Sequence, residues 1–480
     1  MTMENTDPQP KGTAQCHGLI DPGILCPKKV VELIEPYGHR VGLLLERRRA
    51  DEYTNYELAQ LPIVYPEFND NVSATEDCYS SDLWRYVLDD HQTFMLYDRT
   101  NKRIWETASF KLARLSILIQ QSARLIKEKK PAFLIYNATP HNIFTWVFAR
   151  TAEFYGSKIF YFQHSFLPWR YFLYCGLNRN ATIFVPENNE GAFDLPSKSE
   201  QKLSEQFLGR KAGSSAYALP AYEKERLRRH KGRSFSISAS FSQHYKRPIN
   251  ALNAAICYQA YKSLAVQPTG GKPLLIFFMH YQPERTTLPE AYGYAQQLIA
   301  ISAIKSVLPN GVELFVKEHP STFRNLCSWR ERSPSYYRML VERVGVHLLP
   351  MDYDSYEAID NAWVVASIAG TVLYEALIRG RRALAFSPLG FDQVRSRHLH
   401  IYHSAEGLKA FFDSCLLDGN AEISPSMLKN IKELHKTTFS GLSDSSGSIE
   451  EVERSRRVLR TEAMLRGIAS LFQSELRFYL

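Results

Sequence analysis

The sequence is poor in staples and in the common phosphate-binding signatures. Its 480 residues hold seven cysteines, Cys16, Cys26, Cys78, Cys175, Cys257, Cys327 and Cys415. No two form a CxxC pair or stand at zinc-ligand spacing. An odd, dispersed set reads as reduced thiols of a cytoplasmic protein and argues against a disulfide framework. No GxGxxG or GxxxxGK[ST] follows a strand-like segment, which argues against dinucleotide and P-loop chemistry. No window approaches about 18 uninterrupted apolar residues, so no membrane span is expected. The polar N-terminus lacks the apolar core of a signal peptide. Zinc fingers, RNP-type sequences and basic–aromatic interleaving are missing too, so nucleic acid is not an expected partner.

What is present is an ordinary globular composition, 45% apolar and 22% charged, with a mild net charge of +8. That balance suits an anionic small molecule or an anionic membrane surface. The length points to two or three domains. Residues 1–28 are polar and aperiodic and read as a disordered tail. From about residue 40 the text alternates strand and helix. Strands are predicted at 41–47, 62–66, 91–98, 131–137, 157–163 and 181–186, with an amphipathic helix over 106–130. Residues 191–268 form a charged connector. Strands return at 272–280, 312–317, 362–367 and 382–387, with helices at 289–305, 336–344 and 371–379. The alternation predicts α/β architecture: two parallel, doubly wound, Rossmann-like units, 29–190 and 269–404, facing a cleft. Residues 405–480 are expected to be helical. They end in a basic amphipathic helix, read first as a packing helix and second as a membrane-surface contact.

Ligands of open parallel sheets bind beyond the carboxyl ends of strands, which singles out three stretches. "HYQPERTT" (280–287) places an imidazole, an amide, a carboxylate and the fork of Arg285 in one turn; that fork suits a phosphate or carboxylate. "VKEHPS" ends a strand on Lys317 and His319, which alternation puts on one face, leaving Glu318 as structural. "ASIAGTVLYEAL" (366–377) joins a strand to a helix through small residues. Ser367, Gly370 and Thr371 can approach a phosphate there, and Glu375 lies one turn further on.

"FFMHYQPERTTLPEA", "VKEHPS" and "SIAGTVLYEALIRGRRALAF" resemble the bacterial capsule polysaccharide biosynthesis family, which includes β-Kdo transferases. The His-Pro pair is also similar to the HP motif of bacterial sialyltransferases. "YNATPHNIFTWVFARTAEFYGSKIFYFQHSFLPWRYFL" (136–173) matches more loosely. The resemblance implies a GT-B fold and a glycosyltransferase of surface polysaccharide biosynthesis. Its nucleotide-sugar donor would be CMP-linked Kdo or a sialic-acid-like sugar, bound in the C-terminal unit. A glycan or glycolipid acceptor would come from the N-terminal unit. The donor is a substrate; no cofactor and no metal are implied. His319 would contact the donor phosphate, with Ser367 and Thr371 beside it, and Gln282 and Glu284 would line the cleft. Related sequences often carry a carboxylate before the Pro-His pair, where this chain has Asn137-Ala138-Thr139. Glu284, His141 and His164 are then the candidate catalytic base or nucleophile. That departure motivates two alternatives: a non-catalytic nucleotide- or glycan-binding partner in capsule assembly or export, and a nucleotide-sugar epimerase. Peripheral contact with the inner membrane fits the transferase reading.

Overall fold

The computed structural model describes residues 17–23, 26–45, 63–65, 80–100, 106–177, 181–184, 197–213, 246–282, 284–324, 332–394, 396–418, 437–442 and 448–477. Two sheets organise them. In the first, β1 (Gly18–Asp21) lies between β2 (Val41–Leu44) and β4 (Phe133–Tyr136). With β3 (Ile63–Val64) and β5 (Lys158–His164) these run parallel in the order β5-β4-β1-β2-β3. Antiparallel β6 (Arg170–Cys175) extends the sheet past β5 and carries β7 (Thr182–Ile183). The second sheet is wholly parallel. It contains β8 (Leu274–Phe278), β9 (Glu313–Lys317), β10 (His347–Leu348), β11 (Val364–Ser367), β12 (Arg382–Ala385) and β13 (Leu399–Ile401), in the order β10-β9-β8-β11-β12-β13.

In each sheet the strand order reverses beside the first strand, between β1 and β4 and between β8 and β11. That is the doubly wound pattern, which opens a crevice at the reversal. Strands such as FLIY in β4 and VVAS in β11 are buried throughout, because helices cover both faces of a parallel sheet. The chain is therefore the α/β protein expected from its sequence, a GT-B-like pair of Rossmann-like sheets. Among the described residues no helix is long and apolar enough to cross a membrane.

The helix Ala108–Lys129 shows how the sequence sets its elements. The Thr107 side chain accepts the Phe110 N–H at its start, and Lys127 and Lys129 sit in its last turn against the negative dipole end. Its buried stripe, Leu115, Leu118, Ile119, Ser122, Ala123 and Ile126, repeats at helical spacing.

Several expectations are corrected. Of the expected tail 1–28, residues 1–16 lie outside the described residues; Gly18–Asp21 is the central strand of the first sheet, and a helix begins at Pro27. The expected strand 91–98 is the helix His91–Thr100, whose buried Gln92, Thr93, Leu96 and Tyr97 repeat with the helical period. The expected helix 289–305 begins only at Gln297. The segment 405–480 is not simply a set of appended helices. Ala405–Leu417 packs on the second sheet through Leu408 and Phe412. The chain then returns, and β14 (Phe439–Ser440) adds a strand to the first sheet. The helix Arg456–Gln473 lays Ala463, Met464, Ile468 and Phe472 into a core with Ile20, Phe133 and Phe160. Of the connector 191–268, residues 214–245, which include the basic run 226–233, lie outside the described residues.

The return is tied by a buried ion pair. Arg170 on β6 donates from Nε to Glu200 Oε1 at 2.6 Å and from Nη1 to the Thr438 carbonyl at 2.7 Å. Removing one partner of a buried pair strands the other charge without water. Glu200→Ala is therefore expected to cost about 3–5 kcal/mol. Asp413→Ala, which breaks the exposed pair with Lys409, should cost less than about 1 kcal/mol. Urea unfolding of both variants checks the contrast; equal losses would refute it.

Candidate functional site

The carboxyl ends of the two sheets meet, and each candidate group stands on a loop leaving a strand there. The key residue on the second sheet is His280, just past β8. Its backbone is held at both ends by Gln297, whose Oε1 accepts the His280 N–H at 2.8 Å and whose Nε2 donates to the His280 carbonyl at 2.8 Å. Its ring is buried. Nδ1 lies 2.8 Å from Glu284 Oε2. Nε2 receives the Ala369 N–H at 3.3 Å, across the β8–β11 reversal. An Nε2 that accepts leaves the proton on Nδ1, donated to Glu284. The pair thus fixes the turn after β11. Burial would push the Glu284 carboxyl up; the hydrogen bond and charge of His280, and then His319, hold it below its ordinary value.

Around this pair stand the residues of the 366–371 turn. Ser367 Oγ donates to the Phe278 carbonyl at 2.9 Å and lies 3.3 Å from His280 Nε2. A Cβ on Gly370 would come within 3.1 Å of Ser367 Oγ and 3.6 Å of His280 Cε1. Thr371 is exposed at the head of the short helix Val372–Ile378, and Glu375 is half-buried one turn along it.

Just past β9, His319 accepts the Ser321 N–H at Nδ1 at 3.0 Å, which places its proton on Nε2. Its ring lies 5.2 Å from that of Tyr281. Glu318 points the other way into the core. It accepts from Arg332 Nε at 2.7 Å, Tyr337 Oη at 3.0 Å and Thr322 Oγ1 at 3.0 Å. Burial alone would lower the Arg332 guanidinium; the Glu318 carboxylate reverses this and raises it. Arg332 also donates to the His280 carbonyl at 3.1 Å, linking the ends of β8 and β9.

Two expected donor contacts are turned inward. Lys317 is buried, and its ammonium donates to the carbonyls of Pro350, Met351 and Tyr353 at 3.3, 3.3 and 2.8 Å. It braces the loop after β10 instead of sharing an open face with His319. Burial lowers it to about 8, against the pull of Asp352 and Asp354. Gln282 spends its amide on Thr287 Oγ1 at 2.8 Å and the Ala295 carbonyl at 3.4 Å, and so holds its own loop closed.

No family model matches the sequence, and no curated protein matches it. Solved structures similar to it include the β-Kdo 2,7 transferase KpsC of Thermosulfurimonas dismutans. That likeness has 12% identity and a TM-score of 0.27, and covers 66% of this chain and 89% of the other. HepE of Anabaena in complex with UDP and glucose matches with 13% identity and a TM-score of 0.24, over 95% and 99% of the two chains. The UDP-GlcNAc 2-epimerase of Methanocaldococcus jannaschii in complex with UDP-GlcNAc and UDP matches with 11% identity and a TM-score of 0.22, over 87% and 97%.

The first sheet faces these residues with the loop 137–142. Thr139 Oγ1 donates to Glu290 Oε1 at 2.6 Å, and Gln163 Nε2 donates to Glu290 Oε2 at 3.4 Å. Glu290 is buried, and Arg285 Nε stands 2.8 Å from its Oε1. The Arg285 N–H is not aimed along that line, so the contact is an ion pair without a formed hydrogen bond. His141 has Nδ1 2.9 Å from the Thr139 carbonyl and must carry its proton there. Burial, followed by the charges of Arg285, Arg99 and Arg460, lowers it to about 4 against the raising effect of that hydrogen bond. His164 is exposed at the end of β5 with its ring 4.7 Å from that of Tyr171. Among the described residues no group of three or more His, Cys, Asp or Glu side chains is placed to hold a metal ion.

Sequence reasoning noted the His280 imidazole without giving it a role, and passed over Glu290, Arg99 and Arg460 altogether. "FFMHYQPE" does carry a signal for His280, since a His four residues before a Glu can form a pair across one turn. Nothing local marks Arg99 or Arg460, which reach the site only through tertiary packing.

Between the folded value of His141, about 4, and its ordinary 6.5, the unfolded chain holds a proton that the folded chain does not. Stability therefore falls as pH drops from 6.5 to 4. In His141→Gln that part of the decline should vanish. Urea midpoints across this window test it, and an unchanged slope would refute it. Gly370→Ala should displace Ser367 and lower thermal stability by a few degrees, about 1 kcal/mol, as overpacking does.

Proposed function

We propose that this chain is a glycosyltransferase of surface polysaccharide assembly. It takes a sugar from a nucleotide-activated donor, with a CMP-linked acidic sugar such as Kdo or sialic acid as the first choice. It passes that sugar to a glycan or glycolipid acceptor. The observation that carries the reading is the convergence at the β8–β11 reversal. His319, Ser367 and the 369–371 backbone stand at adjoining strand ends, where open α/β sheets receive nucleotides. His319 presents a protonated Nε2, the donor that a phosphate oxygen needs. The His280–Glu284 pair sets the turn that would face the same phosphate.

In transfer, an acceptor hydroxyl attacks the anomeric carbon, the nucleotide phosphate leaves, and the hydroxyl proton passes to a base. Glu284 is ionised and half-buried; His141 is neutral with an unprotonated Nε2. Both are suited to take a proton, Glu284 on the donor side and His141 on the acceptor side. His164, exposed at the end of β5, is the third candidate. Lys317 and Gln282 support the loops, Arg285 is turned to Glu290 on the acceptor side, and donor contact is left to His319, Ser367, Gly370, Thr371 and Glu375.

Thermal-shift titration with CMP, UDP and GDP is the direct test. CMP is expected to stabilise the protein, and His319→Ala to weaken that binding at least about tenfold, the value of a charge-assisted hydrogen bond. Unchanged CMP affinity in His319→Ala would remove the phosphate assignment. With a CMP-sugar and acceptor extract, Glu284→Gln and His141→Asn should bind nucleotide normally, and at least one should lose about a hundredfold or more in release of CMP. Nucleotide binding without any turnover would favour the non-catalytic alternative.

A further inference from the structure

Three arginines converge on the acceptor side from distant parts of the sequence. Arg99 ends the helix His91–Thr100, Arg285 stands in the loop after β8, and Arg460 lies in the helix Arg456–Gln473. Each is tethered to the two loops that meet there. Arg99 Nη1 donates to the Leu288 carbonyl at 2.7 Å. Arg460 Nη2 donates to the Asn137 carbonyl at 2.8 Å and to Asn137 Oδ1 at 3.3 Å. Arg285 lies against Glu290. The three charges act together on one group, His141, and they act on each other: after burial, Arg285 lowers both Arg99 and Arg460.

Clustering like charges costs free energy, and the tethers here do little to offset it. Carbonyls orient a guanidinium but do not neutralise it. Of the acids nearby, Glu290 touches Arg285, Glu284 is engaged with His280, and Asp21 accepts the Gly23 N–H. Asn137, at the strand end that Arg460 grips, brings no charge. The Nε groups of Arg285 and Arg460 are buried without a hydrogen bond. The location is also specific. Asp21 and Asn137 end β1 and β4, the reversal point of the first sheet, and such points hold ligands. Gly23 keeps this corner tight: its φ is +51°, and a Cβ there would run into Asn137.

We infer that Arg99, Arg285 and Arg460 form an anion subsite that receives the carboxylate or phosphate of an acidic acceptor, apart from the nucleotide phosphate's place at His319 and Ser367. The inference rests on the glycosyltransferase reading for the word acceptor. The subsite explains why the basin is built of guanidiniums: each offers a planar fork to a carboxylate or phosphate. It also places the acceptor's acidic group beside His141.

The test uses the full-length protein with three probes: glucuronate, glucose 1-phosphate and glucose. Binding is read by the ring resonances of labelled histidines, with His141 assigned from His141→Asn, and CMP binding is followed in parallel. A charged sugar should bind and move the His141 signal, and glucose should not. Stronger binding by glucuronate identifies a carboxylated acceptor, and stronger binding by glucose 1-phosphate a phosphorylated one. Arg460→Gln and Arg99→Gln should weaken that binding at least about tenfold with CMP affinity unchanged. Should either variant fold poorly, the wild-type contrast between charged and uncharged sugars decides. Charged and neutral sugars that bind alike, or not at all, would overturn the subsite, as would variants that bind anions as well as wild type. Anion binding without nucleotide binding would keep the subsite and refute the nucleotide-dependent reading.

Discussion

The carboxylate of Glu290 holds the two halves of this protein in register. It leaves the second sheet's loop and is buried between hydrogen bonds from Thr139 and Gln163 of the first sheet, with Arg285 beside it. Its own carbonyl accepts Ser387 Oγ at 2.8 Å, which ties the loop to the end of β12. A buried carboxylate is costly unless its oxygens are satisfied, and several kcal/mol ride on that satisfaction. Because the partners come from β5, the 137–142 loop and the β8 loop, Glu290 is satisfied only when both sheet ends are in place. The same carboxylate turns Arg285 toward the first sheet. The junction and the charge pattern of the site therefore have one origin.

A second buried pair does the same work within the second sheet. Glu318 and Arg332 lock the ends of β9 and β8 together and leave His319 as the imidazole that the strand end presents. The sequence "VKEHPS" packs opposite tasks into adjacent positions. Lys317 holds the loop after β10, Glu318 holds the core, and His319 stands over the site. Alternation of side chains explains why Glu318 and His319 diverge. It does not explain Lys317, whose long stem lets the ammonium reach three carbonyls on the neighbouring connection.

The legible parts of the fold were those with long, periodic text. The helix over 106–130, the apolar β8 and β11, and the strand-end clusters of the second sheet all carried a local signal. The parts that were not legible have physical reasons. Gly18–Asp21 is four residues long and flanked by polar text, and only pairing with β2 and β4 makes it a strand. In His91–Thr100 the aromatic and β-branched residues suit a strand by propensity, but burial of Gln92, Thr93, Leu96 and Tyr97 against the helix Ile143–Phe154 decides for a helix. The placement of His319, Ser367 and Gly370 at strand ends was legible because apolar runs mark where β9 and β11 stop. Gln282 was misread because an amide beside a site looks free until its partners, Thr287 and Ala295, fold back onto it.

The two imidazoles at the junction show how the fold assigns different roles to one residue type. His280 is clamped through both ring nitrogens and through its backbone, so it cannot turn toward a substrate without releasing the Ala369 N–H and Glu284. It acts by positioning. His141 is held through Nδ1 alone, and burial, aided by the surrounding cations, keeps its second nitrogen unprotonated. A group of this kind gains a proton more readily when an anion settles among those cations, because the opposing field then falls. If the proposed acceptor subsite holds, the arrangement would couple acceptor charge to the basicity of the neighbouring imidazole. Such coupling would reserve full proton-accepting strength for the moment when an acidic acceptor is in place.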